Sequence, residues 1–348
     1  MITVHLPDGS PLELPDEATG YDAASAIGPR LAKSAVAVKL DGEYLDLHRP
    51  LPGEGTLEVV TVASDEGRHI LRHSAAHIMA QAVLDLYEGA TFAIGPAIED
   101  GFYYDFDIGR PFTPEDLERI EGRMAEIVAA DQSFDREAFS KDEALEVFAD
   151  HPFKVEIIES VDEHEGAGGD LVTAYRNEGF IDLCRGPHLP STGRLPAFKL
   201  LRTAGAYWRG DERRPQLQRI YGTAWENKKA QDEYLVRLEE ARKRDHRRLG
   251  VELDLFSFPS ELGSGLAVWH PKGATTRMVM EDYSKRTHLA HDYDLVASPH
   301  IAKAHLWQTS GHLDFYAEGM YPSMELDGGD EYRLKPMTCP FHLLIYKT

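Results

Sequence analysis

Hydrophobic and polar residues alternate at the start of the chain. Ile2, Val4 and Leu6 are separated by polar positions, a PDGS turn follows, and Leu12 and Leu14 resume the alternation, which predicts a hairpin. The stretch GYDAASAIGPRLAKS shifts to helical spacing. Val36, Val38 and Leu40 alternate again up to Asp41-Gly42, a dipeptide suited to a tight hairpin turn, and TLEVVTV (56–62) supplies another strand. The order ββαββ over residues 1–62 predicts a ubiquitin-like β-grasp module, in which no residue looks catalytic.

A helical period takes over after Ser64, a capping residue. Ile70, Leu71, Ala75, Ile78, Ala82 and Leu86 fall on one face. ATFAIGPAIEDGFYYDFDI reads as strand, turn, strand. Thr113-Pro114-Glu115-Asp116 starts a second helix with proline at its first position, and Leu117, Ile120, Met124, Ile127 and Val128 give it an apolar face. A helix near SKDEALEVFAD, strands around FKVEIIES and GFIDLC, and closure near QRIYGTAW complete an α+β domain over 63–225. Residues 226–249 are charged almost throughout and read as one long exposed linker helix, basic in its last turns where the helix dipole favours cations. Globular composition returns over 250–348. There a helix at 272–289 precedes YDLVASPHI, which reads as a buried strand ending at Pro299, and PMTCPFHLLIYKT reads as helical. The fold class is multidomain α+β.

Composition narrows the function classes. The 348 residues contain no apolar run near the ~20 needed to cross a bilayer. MITVHLPDGSPLELPDE lacks the basic and apolar segments of a secretory leader, and two distant cysteines argue against a disulfide framework, so a cytoplasmic address is expected. A net charge of −22 argues at first against a polyanionic partner. RGDERRPQLQR (209–219) and ARKRDHRR (241–248) reopen that possibility, because local cations can neutralise phosphates on an acidic protein.

Four residues carry the candidate chemistry. His73 and His77 in HSAAHIMAQAV lie one helical turn apart on one face. Zinc peptidases use that spacing, but they place a glutamate beside the first histidine, and Ser74 stands there instead. Cys184 and His188 in IDLCRGPH sit where a strand breaks into a Gly-Pro turn. Three histidines and one cysteine match the ligand count of tetrahedral zinc. They also suit metal-free hydrolysis, in which near-neutral histidines position and deprotonate water while Cys184 and Asp182 orient the other groups.

HxxxH followed by CxxxH resembles the editing domain shared by threonyl- and alanyl-tRNA synthetases. The surrounding order resembles the threonyl branch of the class II synthetases: β-grasp module, editing domain, basic linker helix, then LGVELDLFSF and VWHPKG. The helix 272–289 with YDLVASPHI resembles motif 1 of that class, with Pro299 as its proline. WQTSGHLDFY (307–316) and YRLKPMTCPFH (332–342) are similar to the family's phrases. The resemblance implies a partial class II antiparallel-sheet catalytic domain over 250–348, in which Cys339 is the first ligand of a catalytic Zn2+.

It further implies ATP with Mg2+ as substrate, threonine and its tRNA as partners, and dimerisation of the full-length enzyme. In the editing domain it marks His73, His77, Cys184 and His188, with Asp182 beside them. Lys154 in PFKVEI would be a further member, against a reading as a surface lysine. Tyr103 and Tyr104 in GFYYDF would line the pocket for the ester or terminal adenosine, against a packing role.

The family's motifs 2 and 3 and two further zinc-binding histidines have no counterpart in this sequence, so an N-terminal portion retaining only editing is expected. Alternatives are a stand-alone trans-editing hydrolase, against which LKPMTCPFH speaks, a non-catalytic RNA-binding protein built on the β-grasp module, and a zinc hydrolase of another substrate.

Overall fold

The computed structural model describes residues 1–160 and 171–348, which divide into two compact units, Met1–Ala241 and Arg242–Thr348. The first unit opens with the predicted β-grasp module. Strands β1 (Ile2–His5), β2 (Pro11–Leu14), β3 (Ala35–Leu40), β4 (Glu43–Asp46) and β5 (Gly55–Thr61) form one sheet in the order β2-β1-β5-β3-β4. The pairing of β1 with β5 is parallel, and the other pairings in this sheet are antiparallel. Helices α1 (Gly20–Ile27) and α2 (Pro29–Ser34) supply the crossover. Thr19 and Asp22 cap α1 reciprocally, satisfying backbone donors that have no helical partner.

Helix α3 (Asp65–Leu86) follows, its Ser64 cap accepting from Gly67 N–H at 3.0 Å. A Cβ on Gly67 would lie 1.9 Å from the Thr61 carbonyl oxygen, so glycine is what lets the helix start hard against β5. From Ile70 to Val83 the helix is buried on nearly every side, not only along the predicted stripe. Ala75, Ala76, Ala80 and Ala82 allow this, because small side chains admit close neighbours all round. One side meets a five-stranded sheet in which β12 (Ala197–Tyr207), β13 (Gln216–Trp225), β8 (Gly101–Asp107) and β6 (Thr91–Phe92) lie in order, with β7 (Ala97–Ile98) pairing β8. Another side meets α4 (Pro114–Ala130), which carries the predicted proline start and a Thr113–Asp116 capping box. The same core takes in Val36, Ala37 and Val60, so the β-grasp sheet and α3 share one interior.

A second sheet of β9 (Asp135–Phe139), β10 (Val172–Asn177) and β11 (Phe180–Leu183), in the order β11-β10-β9, sits with α5 (Lys141–Val147) and α6 (Pro152–Ser160) around a separate core. Here the sequence reading needs correction: FKVEIIES is helix, not strand. Phe153, Val155 and Ile157 alternate, yet Phe153, Ile157 and Ile158 also satisfy helical spacing, and these three are its buried apolar residues. Pro152 at the first helical position favours the helix.

The predicted single linker helix is broken. Helix α7 (Lys228–Lys243) ends before Asp245, whose side chain accepts from Arg247 N–H and starts α8 (His246–Glu252). The second unit adds β14 (Phe256–Ser257), β15 (Val268–Trp269), α9 (Pro271–Leu289), β16 (Ile301–Lys303), α10 (Ala304–Thr309), α11 (His312–Phe315), β17 (Met324–Glu325), β18 (Glu331–Leu334) and α12 (Cys339–Lys347). Its sheets are antiparallel, β14 with β15 and β16-β18-β17. YDLVASPHI is not a buried strand: residues 293–299 have no regular structure, and Tyr293, Leu295 and Val296 are exposed. Alternation alone cannot distinguish a strand from an extended segment that lacks a pairing partner. Among the described residues no helix is long and apolar enough to cross a membrane.

Candidate functional site

Helix α3 carries His73 and His77 one turn apart, and the loop after β11 carries Cys184 and His188. The fold brings all four together, with their ligand atoms within 4.8 Å of one another. His73 Nε2 lies 2.8 Å from Cys184 Sγ, and His188 Nε2 lies 3.3 Å from the same sulfur. Gly186 N–H donates to that sulfur at 3.1 Å. The loop turns through Gly186 at φ +75°, where an added Cβ would collide with the Tyr175 hydroxyl, so glycine is required on both counts.

Two further predicted residues form the floor. Asp182, at the end of β11, is paired with Lys154 of α6 at 2.6 Å, and each is 1% exposed. Lys154 is therefore not a surface lysine, and its burial follows from the helical course of FKVEIIES. Tyr104 donates its hydroxyl to Asp182 Oδ2 at 2.5 Å and accepts from Lys154 Nζ at 3.0 Å. His77 Nε2 stands 3.5 Å from Asp182 Oδ2, while its Nδ1 is buried with no hydrogen-bond partner among the described residues. Tyr103 is not brought to the site. Neighbouring strand residues face opposite sides, and Tyr103 packs against Tyr221 with Arg219 3.8 Å from its ring centroid. The cavity above the floor measures about 280 Å³ and is lined by His73, His77, Tyr104, Asp182, Cys184 and Arg185, among others.

Electrostatics keeps the histidines neutral. Burial, aided by His69 and opposed by Asp182, pushes His73 down to about 4. Burial, and then the neighbouring histidines, hold His77 and His188 well below the usual imidazole range. The tautomer of His188 follows from proton bookkeeping. Ser74 Oγ donates to the Ile70 carbonyl at 2.9 Å and lies 3.0 Å from His188 Nδ1, so Nδ1 carries the hydrogen and Nε2 faces Cys184 as a lone pair. Neutral imidazole lone pairs can take a proton from water or ligate a metal.

Two contributors escaped the sequence reading. Ser74, at the position where a zinc peptidase has its glutamate, instead orients His188 and accepts from Leu189 N–H. Asp46, in the module that looked devoid of site residues, accepts from His188 N–H at 3.1 Å and from the Tyr175 hydroxyl at 2.7 Å. Burial and that carboxylate hold the Tyr175 phenol well above its usual range. Nothing in local spacing links residue 46 to residue 188, so only the packing of β4 beside the loop reveals it. Cys339, by contrast, is exposed at the start of α12, and among the described residues no metal-ligand cluster includes it.

Residues 172–221 match the family described as the second additional domain of threonyl and alanyl tRNA synthetases, and residues 2–61 match the TGS domain. Threonine–tRNA ligase of Pelobacter propionicus is 53% identical over the whole chain, covering 54% of that protein. Threonine–tRNA ligase of a Parafrankia species is 54% identical over 91% of the chain and 50% of its own length. The RNA-binding domain of threonyl-tRNA synthetase from Cryptosporidium parvum, a solved structure, is 36% identical over 30% of this chain and 26% of that one, with a TM-score of 0.28. The chain is thus similar to threonine–tRNA ligases along its whole length, and it spans about half the length of the curated relatives it matches.

Proposed function

We propose that the histidine pocket hydrolyses the ester between a wrongly attached amino acid and the terminal ribose of a tRNA, as the proofreading site of a threonine–tRNA ligase. The observation that carries this reading is the convergence of His73, His77, Cys184 and His188 over the buried Lys154–Asp182 pair, with Asp182, Cys184 and His188 inside the stretch that is similar to the synthetases' second additional domain. His73 and His77, held neutral, accept a proton from the attacking water. His188 and Cys184 fix the rim through Ser74 and Gly186, and Lys154 with Tyr104 holds Asp182 in place to orient the substrate's hydroxyl or amino group.

The energetics of selection favour such a site. A threonine-binding pocket built around a hydroxyl rejects valine strongly, because losing that group leaves buried polar atoms unpaired. Serine keeps the hydroxyl and lacks one methyl, worth only ~1–3 kcal/mol, so a second sieve is needed. The whole protein would use ATP with Mg2+ and threonine, hold Zn2+ through Cys339 and ligands outside this chain, and act as a homodimer. The domain division that goes with this function is 1–62, 63–225, 226–249 and 250–348.

The test is deacylation by the 348-residue chain. Hydrolysis of seryl-tRNA of the threonine type, with threonyl-tRNA spared, is expected, and no hydrolysis of either would sink the reading. The ligand cluster favours one other reading, a zinc hydrolase. His73, His77, Cys184 and His188 match tetrahedral zinc in atom type and lie within 4.8 Å of one another, and a bound ion there would supply a Lewis acid for water. Stoichiometric zinc in the purified chain would support it.

A further inference from the structure

Both basic runs that stand out in the sequence are largely consumed within the fold. Arg219 pairs with buried Asp105 at 2.7 Å, Arg209 and Arg214 share Glu156, and Arg213 folds onto Asp211. Arg247 pairs with Asp245, and Arg248 with Glu252. Three further arginines come from separate places in the first unit. Arg49 follows β4 in the β-grasp module, Arg136 is the second residue of β9, and Arg185 follows Cys184 in the site loop.

These three arginines line one cavity of about 260 Å³ together with Tyr44, Asp46 and Tyr175. All three are exposed, and among the described residues no guanidinium of the trio has an ion pair or hydrogen bond. Among the described residues Asp46 is the one carboxylate on the cavity's wall, and its oxygens accept from His188 N–H and from the Tyr175 hydroxyl. Three like charges gathered around one occupied carboxylate leave a local excess of positive charge on a chain of net charge −22. Guanidinium forks match the geometry of phosphate oxygens, and an anion there would relieve their mutual repulsion. Arg185 and Pro187 also line the histidine pocket, so the two cavities share one loop.

We propose that this cavity is a phosphate subsite for RNA, which grips a backbone phosphate of the strand whose 3′ end occupies the histidine pocket. The choice of RNA rests on the proofreading reading above; the cationic cavity does not. The subsite would couple the β-grasp module to the site loop through a single phosphate, with Arg49 on one side and Arg185 on the other.

The experiment titrates the full chain with a fluorescently labelled, unacylated transcript of the threonine tRNA at several salt concentrations. Arg49→Gln/Arg136→Gln is compared with Arg30→Gln/Lys33→Gln, which removes equal charge from exposed residues of α2. The first variant is expected to bind about 10-fold more weakly, with the slope of log affinity against log salt reduced by about 0.7–0.9, the signature of one lost phosphate contact. The control should stay within about two-fold of wild type. Arg49→Lys/Arg136→Lys should restore the salt slope, and thermal unfolding checks that each variant folds. Affinity and slope equal to the control's would overturn the subsite, as would a wild-type chain that does not bind the transcript. Deacylation is scored separately: arginine-dependent binding without hydrolysis keeps the subsite and removes the proofreading reading, and hydrolysis with arginine-independent binding does the reverse.

Discussion

The two units handle cysteine and apolar surface in opposite ways. In Met1–Ala241, Cys184 is 4% exposed, held between two histidines and a backbone N–H, and surrounded by elements that belong to extended cores. In Arg242–Thr348, Cys339 is exposed, and the buried cluster consists of Trp307, Met320 and Phe341. Met278, Val279, Met280 and Tyr283 on α9 are all more than half exposed. A site needs side chains locked by packing and by a second layer of hydrogen bonds, and the first unit has both. The second carries its recognisable phrases without that support.

The comparison breaks most visibly at the buried ion pair. Lys154→Met leaves Asp182 charged and unpaired in the interior, and we expect a loss of about 3–5 kcal/mol in the first unit's denaturant unfolding, with the second unit's transition unchanged. Little loss would mean that water reaches Asp182. His77→Ala should cut ester hydrolysis by about 10²-fold or more in single-turnover assays, general-base catalysis being worth 10²–10⁴; a drop below three-fold would remove His77 from the chemistry.

Acid should discriminate next. The unfolded chain protonates its histidines near 6.5, while folded His73 stays neutral down to about 4 and His77 and His188 lie well below 6.5. The stability of the first unit is therefore complete above 6.5 and lost progressively as pH falls toward 4, read as a falling midpoint in urea titrations. His73→Gln should flatten that fall. Smallest is Asp46→Ala, expected to cost about 1–2 kcal/mol and to slow hydrolysis several-fold, since it frees His188 N–H and the Tyr175 hydroxyl. Unchanged hydrolysis would confine Asp46 to a packing role.

Much of this is legible in the sequence. Alternation gave β1, β2, β3 and β5 of the β-grasp sheet but not β4, Ser64 and Thr113-Pro114 gave the starts of α3 and α4, and the HxxxH and CxxxH spacings singled out the four ligand-type residues. What failed did so for local reasons. FKVEIIES satisfies both periods, so its helix, and with it the burial of Lys154, depended on the core that α6 joins. The linker broke where Asp245 caps a new helix. Tyr103 and Tyr104 are equivalent as neighbours in sequence, and only the face that β8 presents to Asp182 separates them.

By itself, then, the sequence determined which residues could do chemistry and which elements carry them, because periodicity and capping act over a few residues. Tertiary structure alone decided their protonation, their partners and the reach of Asp46 into a pocket 142 residues further along the chain. Desolvation, ion pairing and convergence depend on what is packed around a group, and no stretch of sequence contains its own surroundings.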